Sequence, residues 1–160
     1  MILFSSNQKV MDCKWKTIND VVMGGKSIGI IEFNHDSQVV FKGKVSLENN
    51  GGFSSAKCEF SETNIEGATK VVLRVKGDGK NYQFRIKVNS LDNHSYIAKF
   101  STSGKWEDIE INLNTMFPSF RGRKLDLPNL SEKLIREIAF LIANKSEEYF
   151  ELVIDGIEFK

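Results

Sequence analysis

The sequence predicts an all-β fold, a sandwich or barrel of about nine short strands. Three observations carry that expectation. Phenylalanines number 12 and prolines only 2 among 160 residues, with valine and isoleucine plentiful. Apolar and polar residues alternate over short runs, the period of a strand with one buried face. Glycine, asparagine, aspartate and serine punctuate those runs at roughly ten-residue intervals, as tight turns do.

In chain order, the first strand is Ile28 to Phe33, weakened by Gly29. Gln38 to Leu47 follows, with Val39, Phe41, Val45 and Leu47 on one face and Gly43 among them, which predicts a bulge or a close backbone approach. Phe53 to Phe60 sets Ser54, Ala56, Cys58 and Phe60 on a shared face. Lys70 to Lys76 turns Val71, Leu73 and Val75 inward, and Tyr82 to Val88 does the same with Tyr82, Phe84, Ile86 and Val88. Asp78-Gly79 between these two runs predicts a hairpin, because glycine accepts the positive φ such turns need.

Strands continue at His94 to Ser101 and Trp106 to Leu113, and Phe117 to Leu130 reads as an irregular connection holding both prolines. Leu134, Ile135, Ile138, Leu141 and Ile142 are spaced for a helix, yet Ile138 to Ala143 fits a strand buried on both faces equally well. The expectation is a helical turn over Ser131 to Ile135 followed by that strand, with Ser131 as its N-cap. Tyr149 to Phe159 closes the chain, its alternation broken by a bulge at Asp155-Gly156. No repeat or linker interrupts the series, so residues 1–160 read as one domain.

The formal net charge is +1, which gives no bulk electrostatic case for nucleic acid or an anionic membrane. Cys13 and Cys58 lie far apart outside any C-x-x-C spacing, which fits buried or idle thiols in a reducing compartment better than a disulfide framework and leaves a pairing between them open. Met1 to Asn7 lacks the basic and long apolar regions of a secretion signal, and no apolar run is long enough to insert in a membrane. A cytoplasmic location follows as the expectation.

Several patterns invite chemistry. Gly25-Lys26-Ser27 ends like a phosphate-binding loop, but position 20 holds Asp20 where that loop needs glycine, and a strand follows in place of a helix. Gly25-Lys26-Ser27-Ile28-Gly29 fits G-x-S-x-G, which works only as a strand-to-helix elbow in an α/β fold. Two isolated histidines and two isolated cysteines give no zinc spacing. Asp20, Asp78 and Asp155 are candidate calcium ligands, each read first as a turn-forming aspartate. No cofactor, metal or catalytic set is therefore expected.

For binding, Arg121-Gly122-Arg123-Lys124 beside Phe117 and Phe120 can fork onto a carboxylate or phosphate. Arg74, Gln83, Arg85 and Lys87 sit on the polar sides of their strands and would, if they converge, line a cationic concave face. Trp15, Tyr82 and Trp106 are candidate sugar-stacking rings, buried core aromatics being the commoner outcome. The tentative binding set is Arg121, Arg123, Arg85, Arg74, Tyr82 and Trp15; the structural turns are Asn19, Asp20, Gly24, Gly25, Asn49, Gly51, Gly52 and Asp78.

Trp15, Asn19 to Ser27, Phe41-Lys42-Gly43, Leu47 to Phe53, Lys76 to Tyr82, Trp106 and Phe120 to Arg123 occur in an order that resembles the complex I intermediate-associated protein family. The resemblance spans nearly the whole chain. It implies a galactose-binding-like jelly roll, similar to certain carbohydrate-binding modules. It also implies a non-catalytic factor that engages a protein partner during assembly of a membrane complex such as NADH:ubiquinone oxidoreductase. The same fold supplies the alternative expectation, a module recognising a glycan or another hydroxyl-rich or anionic ligand.

Overall fold

Alternating side chains sort onto two antiparallel sheets in the computed structural model, which describes residues 1–8, 13–20 and 24–160. In chain order the strands are β1 (Ile2–Ser5), β2 (Lys14–Asn19), β3 (Ile28–Phe33), β4 (Val39–Val45), β5 (Ser54–Asn64), β6 (Lys70–Lys76) and β7 (Asn81–Lys87). Then come β8 (Ser95–Ser101), β9 (Trp106–Asn112), β10 (Phe117–Phe120), β11 (Arg123–Lys124), β12 (Leu134–Ile142) and β13 (Glu148–Phe159). One sheet has the order β3-β4-β13-β6-β9, with β1 added along β13; the other runs β11-β10-β8-β7-β12-β5-β2. Successive strands switch sheets repeatedly, as a jelly roll requires.

The core lies between the sheets. Phe41, Leu73, Leu152 and Ile154 from the six-stranded sheet meet Phe84, Ile86, Ile138 and Phe140 from the seven-stranded one, all with no more than a trace of exposed surface. Trp15 joins this core from β2, edge-on to Phe4 at 6.1 Å and stacked near Phe140 at 6.4 Å between ring centres.

Several local expectations hold. Gly43 faces Gly29 across the β3–β4 ladder, and a Cβ there would run into the Ile28 carbonyl oxygen, so the glycine marks a close approach in regular register. The Asp155-Gly156 interruption is a bulge, where the β13–β6 register slips between Ile154 and Gly156.

Others are corrected. Lys76 to Asn81 does not close a hairpin: β6 lies in one sheet and β7 in the other, so the segment crosses the sandwich. Ser131 to Lys133 forms no helical turn, and β12 runs unbroken from Leu134 through the stretch that also fitted a helix. The segment after Phe117 contains a small hairpin of β10 and β11, with Phe120 opposite Arg123. The cysteines are not idle thiols. Trp15 pairs with Cys58 across β2 and β5, which brings the preceding Cys13 alongside, and the two form a disulfide with Cα atoms 5.4 Å apart.

Candidate functional site

The two glycine pairs meet around one carboxylate. Asp20 ends β2 with 1% of its surface exposed, and its side chain is enclosed by chain from both signature segments. Its Oδ1 accepts the Ser27 N–H at 2.9 Å. Its Oδ2 accepts the Ser27 hydroxyl at 2.5 Å, the Gly52 N–H at 2.6 Å and the Phe53 N–H at 3.2 Å. Ser27 Oγ in turn accepts the Ser46 N–H at 2.9 Å, linking the start of β3 to the end of β4. Glycine is required at 25 and 51 because a Cβ at either would strike the carboxylate.

Burial pushes the Asp20 carboxyl upward, but the hydrogen bonds from Ser27, Gly52 and Phe53 together outweigh it and hold the group below its ordinary value. The segment that resembles a phosphate loop thus does cradle an anion in backbone N–H groups, and the anion is the chain's own. Val21 to Met23, inside that signature, lie outside the described residues.

Asp78 does the same for the crossover between sheets. It accepts the Tyr82 hydroxyl at 3.0 Å and the Lys80 N–H at 3.2 Å on one oxygen, and the Glu151 N–H of β13 at 2.9 Å on the other. Burial, then the neighbouring Asp78 charge, push the Tyr82 phenol far above its ordinary range. Asp155 accepts the Ser6 hydroxyl at 2.5 Å and the Gln38 amide at 3.0 Å. Each of the three aspartates considered for calcium therefore has its own intramolecular donors. Among the described residues no three His, Cys, Asp or Glu side chains converge on a metal-sized space.

The tentative binding residues separate. Tyr82 is in the core with 1% exposure, and Trp15 packs against it. Arg74 lies on the outer face of the six-stranded sheet, its guanidinium 5.7 Å from the ring centre of Trp106 and 3.5 Å from Asp108. Arg121 and Arg123 are exposed in the β10–β11 hairpin, with Arg121 in a left-handed conformation (φ 50°) and over the Phe120 ring. Gln83, Arg85 and Lys87 share the outer face of the seven-stranded sheet, so the four-residue face expected with Arg74 does not form.

That outer face has a character of its own. Arg85 sits near its middle, opposite Ile97 on β8 and Ala139 on β12. Ile97, Ala139, Leu141, Ser55 and Ser119 on the same face are all buried, although every strand among the described residues belongs to one of the two sheets. Lys57 on β5 bridges Glu59 at 2.9 Å and Glu137 at 3.2 Å, and Lys16 on β2 reaches Glu59 at 3.0 Å. Burial lowers the Lys57 ammonium's proton affinity, but the two glutamates overcome that and raise it above its ordinary value.

With Glu137 engaged by Lys57, Arg85 is left over. Its Nε is buried with no hydrogen-bond partner among the described residues, and burial holds the guanidinium below its ordinary value against the opposing pull of Glu137. The sequence reading named Arg85 but missed Lys16, Lys57 and Lys99 on this face. The available signal for Lys57 and Lys99 was the period of two along β5 and β8, which places both on the polar side, whereas β2, which carries Lys16, was not read as a strand.

Fold and site together define a jelly-roll β-sandwich whose conspicuous polar residues mostly serve its loops. The chain belongs to the complex I intermediate-associated protein 30 family, whose model matches residues 2–154. Among curated proteins none matches the chain significantly. Among solved structures it is similar to a family 11 carbohydrate-binding module from Clostridium thermocellum in complex with a β-1,3-1,4-mixed-linked tetrasaccharide. That match has a TM-score of 0.70 at 15% identity and covers 99% of this chain and 93% of that one. The family 11 module of the cellulosomal cellulase Lic26A-Cel5E of the same organism gives 0.69 at 14% identity, over 98% and 92%. A family 29 carbohydrate-binding module gives 0.58 at 7% identity, over 99% and 89%. At these identities the likeness is one of fold.

Proposed function

We propose that the chain is a non-catalytic binding domain that works as an assembly factor, engaging a protein partner of a membrane complex such as NADH:ubiquinone oxidoreductase. The observation that carries the reading is the use made of the family's signature residues. Asp20, Gly25, Gly51, Gly52 and Asp78 are all taken up in holding loops and strand ends together, which supports a structural use of the signature over a catalytic one. The family description names complex I, and that supports the choice of complex.

The test is cross-linked capture from native membranes with identification of the recovered subunits. Reproducible recovery of a complex subunit, lost on Arg121→Glu with Arg123→Glu while the fold persists, supports the reading; recovery of nothing from membrane and soluble fractions refutes it. Enzymatic activity abolished by Asp20→Asn without unfolding would also overturn it.

No helix among the described residues is long and apolar enough to cross a membrane. We place the domain's work on the cytoplasmic side, with the Cys13–Cys58 pair as the one observation that pulls toward an oxidising compartment. Alkylation trapping in intact cells decides: free thiols fit the cytoplasm, and a bonded pair moves the protein out of it.

The alternative is a carbohydrate-binding module, favoured by the fold shared with the tetrasaccharide-bound family 11 module. Against it stands how three of the chain's aromatic rings are occupied, although Phe33 and Tyr149 are exposed on the six-stranded sheet. Trp15 is packed into the core, Trp106 is covered by Arg74, and Phe117 has the Lys124 ammonium 5.4 Å from its ring centre. A glycan panel with no thermal stabilisation at millimolar concentration retires that reading.

A further inference from the structure

We infer that the outer face of the seven-stranded sheet is a docking surface for an acidic peptide segment, with Arg85 as the group that receives a carboxylate. This rests on the protein-partner reading above and names the surface and the chemistry of the partner.

The first ground is the isolation of Arg85. A guanidinium offers five N–H donors in a planar fork and stays charged at any accessible pH, so leaving one half-buried without a matching acceptor is costly. Its Nε has no partner among the described residues, and the nearest carboxylate, Glu137, is drawn to Lys57 at 3.2 Å. The two terminal nitrogens of Arg85 carry no hydrogen bond among the described residues and are not among the buried unpartnered atoms, so a carboxylate brought from outside meets that end of the fork.

The second ground is the distribution of charge. Lys87 and Lys99 flank Arg85 on β7 and β8, while Lys57 and Lys16 continue the basic row across β5 and β2. Glu59 and Glu137 are the carboxylates interleaved with them, and both are held by those lysines. The outer face of the opposite sheet is balanced instead, with Arg74, Lys70 and Lys42 met by Asp108, Glu110 and Glu32. In a chain of net charge +1, the basic excess is thus concentrated on one side.

The third ground is extent and floor. From β8 to β2 the row spans four strand spacings, roughly 19 Å, which about six extended residues cross. Ile97, Ala139 and Leu141 give it an apolar floor between the cations, suited to peptide side chains and methylenes. The face lacks an open aromatic ring for a sugar, since its Phe117 is capped by Lys124. A peptide with several carboxylates satisfies all three features.

The test uses the whole chain and a fluorescently labelled peptide of about eight glutamates, with the glutamine counterpart and an oligogalacturonate of similar length as further arms. Anisotropy titration at low salt is expected to show binding of the glutamate peptide, weakening as salt rises, and none of the glutamine one. Arg85→Gln is expected to lose about tenfold or more, and Arg85→Lys to recover only part because the fork is gone. Lys87→Gln with Lys99→Gln, on the surface, should weaken binding several-fold without touching the floor. Unchanged affinity in Arg85→Gln overturns the inference, as does a wild type that ignores the peptide or that binds the uronate in its place. None of these outcomes touches the scaffold reading, which falls if capture with wild-type protein recovers no partner or if an Asp20-dependent activity is found.

Discussion

Replacing Asp20 with asparagine tests the central structural claim, that a buried carboxylate binds the two glycine segments together. The best asparagine pose keeps its oxygen at the Oδ2 position, where three donors arrive, and turns its NH2 toward the Ser27 N–H, now 2.9 Å from the Oδ1 position. Donor then faces donor, and one charge-assisted hydrogen bond is lost at a cost of about 1.5–3 kcal/mol. The three surviving bonds lose the help of the charge, roughly 0.5 kcal/mol each. The sum is about 3–5 kcal/mol. For a chain this size each kcal/mol shifts Tm by about 2–4 °C, so the expected fall is about 6–20 °C.

Circular dichroism melts at neutral pH read it directly, and their pH dependence checks the cause. The folded chain holds Asp20 below its ordinary value of 3.8, so its stabilisation is complete above that unfolded value and is lost as pH falls through the lower folded one. The gap between wild type and Asp20→Asn should therefore be constant near neutrality and shrink below about pH 4. A variant melting within about 2 °C of wild type, or a gap unchanged at about pH 2, would refute the reasoning.

Five further outcomes follow from the structure. Gly51→Ala places a Cβ 2.5 Å from Asp20 Oδ2 and 3.0 Å from the Glu48 carbonyl oxygen, and is expected to cost about 2–3 kcal/mol in chemical denaturation. Gly24→Ala, at φ +89° in open space, should cost only the left-handed strain of about 1–2 kcal/mol. Reduction of Cys13–Cys58 opens a 45-residue separation and is expected to remove about 4 kcal/mol, read as a lower urea midpoint with reductant than without. Tyr82→Phe deletes one of four hydrogen bonds to Asp78 and should lower stability by about 1–2 kcal/mol, measured the same way. Arg85→Met, by contrast, exchanges a half-buried cation for an apolar chain beside Ile97 and Ala139, and should raise Tm by a few degrees.

Much of the fold was legible because most strands have one buried and one open face. On β7 the alternation of Tyr82, Phe84 and Ile86 with polar neighbours is the burial pattern itself, and on β6 and β13 Val71, Leu73, Phe150 and Leu152 are each more buried than the residues beside them, while on β4 Val40 is buried along with Val39 and Phe41. The alternation failed on β12 for the converse reason. Ala139 and Leu141 on its outer face are as buried as Ile138 and Phe140 on its inner one, so the run is apolar throughout and carries no period to read. Asp78-Gly79 misled in another way. A tight turn needs the same residues whether the next strand returns beside the last or crosses to the opposite sheet, and only the distant partners Glu151 and Thr102 settle which. The disulfide was equally hidden, because Cys13 and Cys58 become neighbours only through the pairing of β2 with β5.

The site was less legible than the fold because it depends on what side chains do to one another. Asn19 to Ser27 with Gly51-Gly52 announces itself by composition, yet its glycines exist to admit the Asp20 carboxylate from both sides. A conspicuous motif there is a device of folding. Arg85 is the opposite case, since an arginine on the polar side of a strand looks like ordinary solvated surface. It becomes notable only when Glu137, whose charge acts on it, is seen to bind Lys57, and when its Nε is seen to be buried between β8 and β12 with no partner among the described residues. A charge kept without a partner against its own contribution to stability marks where an external group would be received. The Arg85→Met variant separates the two roles, because a gain in Tm with a loss of peptide binding is an outcome that a purely structural arginine would not give.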